Sequence, residues 1–228
     1  MHAIFLFTIL LVAAIAAVPP CDKHLSHNIK VTEDQDVWGS VITTIVTNYF
    51  NNLATNGYDP FEPVGPQHLE GGLPDGSFYY GGDFESIRVE GLSNVVINSM
   101  STPLIPTYVD FDLTLPQVQV WAESATTSIK FADYNLAADG SGWISVTDVN
   151  VAGRANIQVG VPIQTNGISA VVNVGDIQAN VQGNLGGLNG AIDLNGFLNN
   201  DALTFLQNNN AEVNRISGEW FKQIIASA

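Results

Sequence analysis

Asp110-Phe111-Asp112-Leu113-Thr114 matches the D-x-D-x-T nucleophile pattern of aspartate-based phosphatases. That chemistry needs a carboxylate at the end of a buried parallel strand, a metal beside it and a loop that receives phosphate. Here both acids fall on the polar side of an alternating run that continues to Leu115, and no crossover helix follows. The solvent face of a strand accounts for them. Asp139-Gly140-Ser141-Gly142-Trp143-Ile144 with Asp148 imitates the later part of a calcium loop, but the first ligand position falls on Ala137 and no helices flank it. A hairpin turn accounts for those residues. His24 and His27 have metal-pair spacing but no third ligand nearby, so they read as surface histidines. No G-x-S-x-G elbow, phosphate loop or C-x-x-C occurs, and His68 in a Gly/Pro-rich stretch is the remaining candidate base. The chain is therefore expected to be no enzyme, with no catalytic residue, no metal and no cofactor.

The bulk composition narrows the partners. Residues 3–17 form an apolar run of signal-peptide length ending in small residues, too short for a comfortable membrane span. The expected organisation is a signal peptide over 1–17, a loose segment over 18–31 and one domain over 32–228. With 22 acids against 7 bases the formal charge is −15, which argues against nucleic acid and anionic membrane surfaces. Cys21 is the sole cysteine, so the core and not a disulfide framework must hold the domain, and Cys21 is left as a free thiol or the link in a dimer. Asn is abundant, yet no Asn-X-Ser/Thr acceptor is present.

The organising element is a helix over Thr32 to Asn56. Val37, Trp38, Val41, Ile42, Ile45, Val46, Tyr49, Phe50 and Leu53 recur at threes and fours. Thr32 with Gln35 gives a capping box, and Asn56-Gly57 a left-handed stop. A proline-paced connector, Tyr58 to Pro66, follows, then a loop over Gly71 to Gly82. From Phe84 onward short alternating runs separated by Gly, Asn and Asp predict an antiparallel meander. Val109, Phe111, Leu113 and Leu115 share one face; Pro116 then shifts the phase, which predicts a bulge or an edge position. The Val-x-Gly steps at Gly91, Gly153 and Gly183 read as strand ends. A helical stripe from Asp201 to Ala226 is interrupted at Asn208-Asn209-Asn210, predicting two shorter helices or a weakened turn.

This order of helix, Asp-Pro connector, meander and terminal helix resembles the single-domain tubular lipid-binding (TULIP) proteins of arthropods, namely the haemolymph juvenile-hormone-binding and takeout-type carriers and the group 7 mite allergens. The resemblance is carried by Asp59-Pro60-Phe61, Ile87-Arg88-Val89-Glu90-Gly91-Leu92, Val109 to Pro116, and Gly140-Ser141-Gly142 leading to Val146-Thr147-Asp148-Val149. It implies an α+β fold, a long, strongly curved antiparallel sheet wrapped around a long helix, with helices at both termini and a hydrophobic tunnel for a lipid, fatty acid or terpenoid. The haemolymph carriers have a disulfide near the N-terminus; Cys21 alone tilts the likeness toward the allergen branch. The expected function is a secreted carrier. The residues expected to line its tunnel are Trp38, Ile42, Ile45 and Tyr49 from the first helix, Phe111 and Leu113 from the sheet, and Ile216 and Trp220 from the terminal helix. The alternatives are an extracellular interaction or innate-recognition protein whose core is only scaffold, and a secreted structural or surfactant component.

Overall fold

A computed structural model describes residues 37–103, 107–131, 134–158, 164–188 and 190–227 of the chain. The apolar stripe of the N-terminal region forms helix α1, Val37–Thr55. Gly57 ends it with φ +76°, and the Tyr58 amide donates back to the Leu53 carbonyl at 2.8 Å, so the left-handed stop falls where the Asn-Gly pair put it. The proposed cap at Thr32 lies outside the described residues.

Nine strands make one antiparallel sheet: β1 Gln67–Gly72, β2 Phe78–Glu85, β3 Arg88–Glu90, β4 Val96–Ser101, β5 Tyr108–Phe131, β6 Tyr134–Gln158, β7 Gln164–Asn173, β8 Asp176–Leu188 and β9 Gly190–Asp193. The spine is the ladder between β5 and β6, of 24 and 25 residues. Along the far side of β5 lie β2, β3 and β4, and along the far side of β6 lie β8 and β7.

Apolar alternation along the spine changes phase where the sequence marks it. Val109 points inward, but beyond Pro116 the buried residues are Val118 and Val120. On β6 the inward set likewise changes from Val149 and Val151 to Ile144 and Val146, across Asp148 with φ +53°. Pro116 sits where β5 pairs with neither β3 nor β4, so its missing N–H interrupts no ladder on that flank. The register slip itself falls further on, between Ala122 and Ala125.

Three expectations fail for one reason. Gly71 to Gly82 is no loop but a hairpin, β1 and β2 joined through Leu73 to Ser77. Asp139-Gly140-Ser141-Gly142 is no hairpin turn but the interior of β6. Gly153 and Gly183 lie inside strands, and only Gly91 ends one. A Cβ on Gly153 would stand 2.1 Å from the Ser169 carbonyl oxygen, and one on Gly183 the same distance from that of Asp139. These glycines let neighbouring backbones close in; they do not reverse the chain.

Three helices close the chain: α2 Leu194–Asn200, α3 Ala202–Asn208 and α4 Asn210–Ser227. The break at Asn209 fulfils the expected interruption, whereas α2, capped by Asp193 accepting from the Gly196 amide at 2.9 Å, had no sequence expectation. Their apolar residues Leu194, Phe197, Leu198, Phe205, Leu206, Val213 and Ile216 are buried against the sheet. The buried side chain described on α1 is Leu53, and that helix packs on β4. Among the described side chains, the buried helical ones are thus mainly C-terminal. Arg215 ties α4 to the β1–β2 turn, reaching Asp75 at 3.3 Å and the Ser77 hydroxyl at 2.6 Å.

The abundant asparagines have a structural use here. Asn199 accepts from the Ala179 amide and donates to its carbonyl, both at 2.9 Å, while Asn195 accepts from the Val181 amide at 3.0 Å. On the other flank Asn214 of α4 accepts from the Val172 amide at 2.8 Å. A side-chain amide carries the same donor and acceptor as a peptide unit, so these residues stand in for a missing strand and blunt the edge. Asn199→Ala removes both partners of Ala179 and is expected to cost about 2 kcal/mol. The same variant should aggregate faster, read by urea unfolding and light scattering; unchanged values for both would refute the role.

Candidate functional site

The register slip along the spine creates the site. Between Ala122 and Ala125 the β5 register slips, and opposite it β6 presents Gly142 and Gly140, with Ala138 two residues before Gly140. Methyl groups and hydrogens thus face inward where the adjoining positions carry Phe84, Val120, Ile144, Val181 and Leu194. The shortfall leaves an apolar hollow of about 50 Å³ among β2, β5, β6, β8 and the start of α2. Gly142 is fixed as glycine, because its φ is +130° and a Cβ would stand 2.1 Å from the Asn180 carbonyl oxygen.

The polar residues at the hollow are Thr127, Asp139 and Ser141, and among the described residues no Lys, Arg or His lines it. Thr127 is buried, with its hydroxyl directed to the Ala138 carbonyl at 3.4 Å. Most of the lining offers apolar contact.

The residues expected from the sequence lie elsewhere in the same interior. Ile216 of α4 is fully buried in the core, and Tyr49 and Phe111 pack against it. Tyr49 meets Phe50 edge-to-face, ring centres 5.3 Å apart at 84°. Ile42 and Leu113 are half-buried, and Leu113 pairs with Ile97 and Val151 across the first half of β5. None of these five lines the hollow, which belongs to the second half of β5. Trp38, Ile45 and Trp220 fall on helices whose course is described, and their side chains lie outside the described set. Ala122, Ala125 and Ala138 escaped the sequence reading because a search for large apolar side chains passes over the small ones that leave room.

The acids that imitate a phosphatase are engaged by neighbours on the strand face. Arg154 donates to both oxygens of Asp110, at 2.6 and 2.8 Å, and lies 3.8 Å from the ring centre of Tyr108. Those bonds hold the Asp110 carboxyl below the usual carboxylate range. Asp112 accepts from Asn98 at 2.8 Å and from Asn150 at 2.6 Å. Both acids are strand-face partners, as the alternation implied. His68 bonds Asp83 at 2.7 Å, which raises its imidazole above the ordinary value. Among the described residues no three His, Cys, Asp or Glu are grouped so as to hold a metal ion. His24, His27 and Cys21 lie outside those residues.

Comparison with known proteins gives one family and a set of distant structures. Residues 8–228 match the family described as Haemolymph juvenile hormone binding protein (JHBP). The solved structure of Epiphyas postvittana Takeout 1 is similar at 16% identity, covering 83% of this chain and 83% of that one, with a TM-score of 0.39. A lipopolysaccharide binding protein is similar at 12% identity over 81% of this chain, with a TM-score of 0.35; the match spans 37% of that protein's length. No curated protein matches the sequence.

Proposed function

Because the chain belongs to the haemolymph juvenile hormone binding protein family, we propose that it is a secreted, non-enzymatic carrier that shelters a hydrophobic small molecule between its sheet and its helices. The guest is a lipid, fatty acid or terpenoid, held by apolar contact. The observation that carries this reading is the hollow of small residues, whose lining includes Phe84, Val120, Ala138, Ile144, Val181 and Leu194 of the apolar core. Residues 1–17 serve as a signal peptide removed on export, in keeping with an extracellular place of work. No helix among the described residues is long and apolar enough to cross a membrane.

Size decides how the guest enters. Small-molecule sites typically enclose about 300–1,000 Å³, and the hollow measures about 50 Å³. A guest therefore enlarges the hollow by moving the side chains that now fill the interior, and Ile42, Tyr49, Phe111, Leu113 and Ile216, with Trp38, Ile45 and Trp220, become the lining of the enlarged tunnel. Burial at about 0.8 kcal/mol per methylene repays that rearrangement for a long chain and not for a short one. Affinity should accordingly rise steeply with chain length.

The test is displacement of a fluorescent fatty acid from the purified chain, with Ala125→Leu as the blocked form. An isobutyl group at the half-buried mouth of the hollow should weaken uptake at least about tenfold, equivalent to about 1.4 kcal/mol, with little loss of stability. Absence of saturable uptake by the wild type would end the carrier reading. The modest size of the hollow favours one rival, an extracellular interaction or innate-recognition protein whose core is scaffold; an unliganded chain that takes up no probe is its expected result.

A further inference from the structure

The outer side of the spine carries two tryptophans in register. Trp121 of β5 and Trp143 of β6 are directly opposed, Arg88 of β3 stands beyond Trp121, and Asn180 of β8 beyond Trp143. All four therefore point to the same face of the sheet. The next row on that face runs Glu90, Gln119, Ser145, Gln178 by the same pairings. Trp121 is 41% exposed, on a sheet whose opposite side is the apolar core.

The charge of these two rows differs from that of the whole molecule. The chain carries −15, yet the rows hold one cation and one anion. Arg88 is bound by Glu90 at 3.0 Å and by Glu62 at 3.5 Å, so it is not free to receive an anionic group. What remains is a pair of indoles flanked by the carboxamides of Gln119, Gln178 and Asn180, each able to donate and to accept. Gln178 donates to Asp176 at 2.9 Å, which positions its amide.

We propose that this face binds a neutral glycan chain, its pyranose rings lying over Trp121 and Trp143 and its hydroxyls meeting the carboxamides alongside. The apolar C–H faces of a pyranose complement an indole face, and the equatorial hydroxyls at its rim need paired donors and acceptors, which side-chain amides supply. A sulfated or phosphorylated glycan finds no unpaired cation in the two rows, and the surrounding −15 repels it. Adjacent strands lie about 4.8 Å apart, so the two tryptophans occupy neighbouring positions across the strands on that face. The site is separate from the interior hollow and independent of any guest there.

The experiment is calorimetric titration of the full chain with cellohexaose, laminarihexaose and chitohexaose. At least one should bind saturably. Trp121→Ala, an exposed position whose loss leaves the core intact, should lower that affinity at least about tenfold; Gln119→Ala and Asn180→Ala should each lower it several-fold, while uptake of the fluorescent fatty acid is unchanged in all three. The proposal is overturned if none of the three sugars binds, if binding survives Trp121→Ala, or if the chain instead binds neutral phosphatidylcholine vesicles in a Trp121-dependent way without binding sugar, which would make the face a membrane platform.

Discussion

Gly91→Ala is expected to destabilise the domain by about 3–5 kcal/mol, a large share of the roughly 5–15 kcal/mol that holds a domain together. Gly91 has φ +98°, a conformation that itself costs a side chain about 1–3 kcal/mol. A Cβ there would also stand 2.1 Å from the carbonyl oxygen of Gln117 and 3.3 Å from the Cα of Val118. Both are main-chain atoms of the spine, so no rotamer change relieves the clash, and β5 or the β3–β4 turn must move. Gly57→Ala separates the two contributions: that residue has φ +76° but nothing within 4 Å of the added carbon. It should cost only about 1 kcal/mol. Urea unfolding of the two variants measures the difference, and equal midpoints would show that the close approach to Gln117 contributes nothing.

Asp59→Ala should cost about 3 kcal/mol, because one carboxylate organises the whole turn after β3. Asp59 accepts from the amides of Gly91 at 2.8 Å and Ser93 at 2.6 Å, and from the Ser93 hydroxyl. Next to it Phe61 and Val89 exchange two backbone hydrogen bonds, at 2.7 and 2.9 Å. This joint fastens the end of α1 to the sheet, since the helix otherwise rests on β4. Asp59→Ala should therefore increase protease cleavage between α1 and β1 as well as lowering the urea midpoint. Combined with Gly91→Ala it should cost less than the sum, because both changes release the same turn. Strict additivity would place the two residues in separate structural roles.

The joint also shows how far local reading reaches. Asp59-Pro60-Phe61 and the run from Ile87 to Leu92 stood out in the sequence as marks of the family, and the structure makes them two halves of one contact. The helix stop at Gly57, the break at Asn209 and the change of phase at Pro116 were each legible because a few consecutive residues dictate them. The loop assigned to Gly71–Gly82 and the turn assigned to Asp139–Gly142 were not strand-like by local chemistry. Glycine lacks strand propensity, and what fits it to these strands is the close approach of neighbouring groups that a local reading does not show. A Cβ on Gly82 would meet the side chain of Thr127 at 2.8 Å, and one on Gly140 the carbonyl of Gln182 at 3.1 Å.

The candidate site divides along the same line. Large apolar residues at regular spacing announce which faces turn inward, and Tyr49, Phe111 and Ile216 do join the common core. A hollow is made by what is missing, and Ala122, Ala125 and Ala138 acquire meaning only when the β5 slip brings them to one hollow with Gly140 and Gly142.

By itself the amino-acid order determined the charge, the single cysteine, the antiparallel class, the first helix and the kinship, since each is written in composition or in short-range periodicity. Tertiary structure alone decided that two strands of about two dozen residues form the spine, that asparagines replace missing strands along its edges, and that small residues meet in a hollow beneath its second half. Those features depend on register between segments distant in the chain, and register is set by packing over the whole sheet and not by any one window of residues.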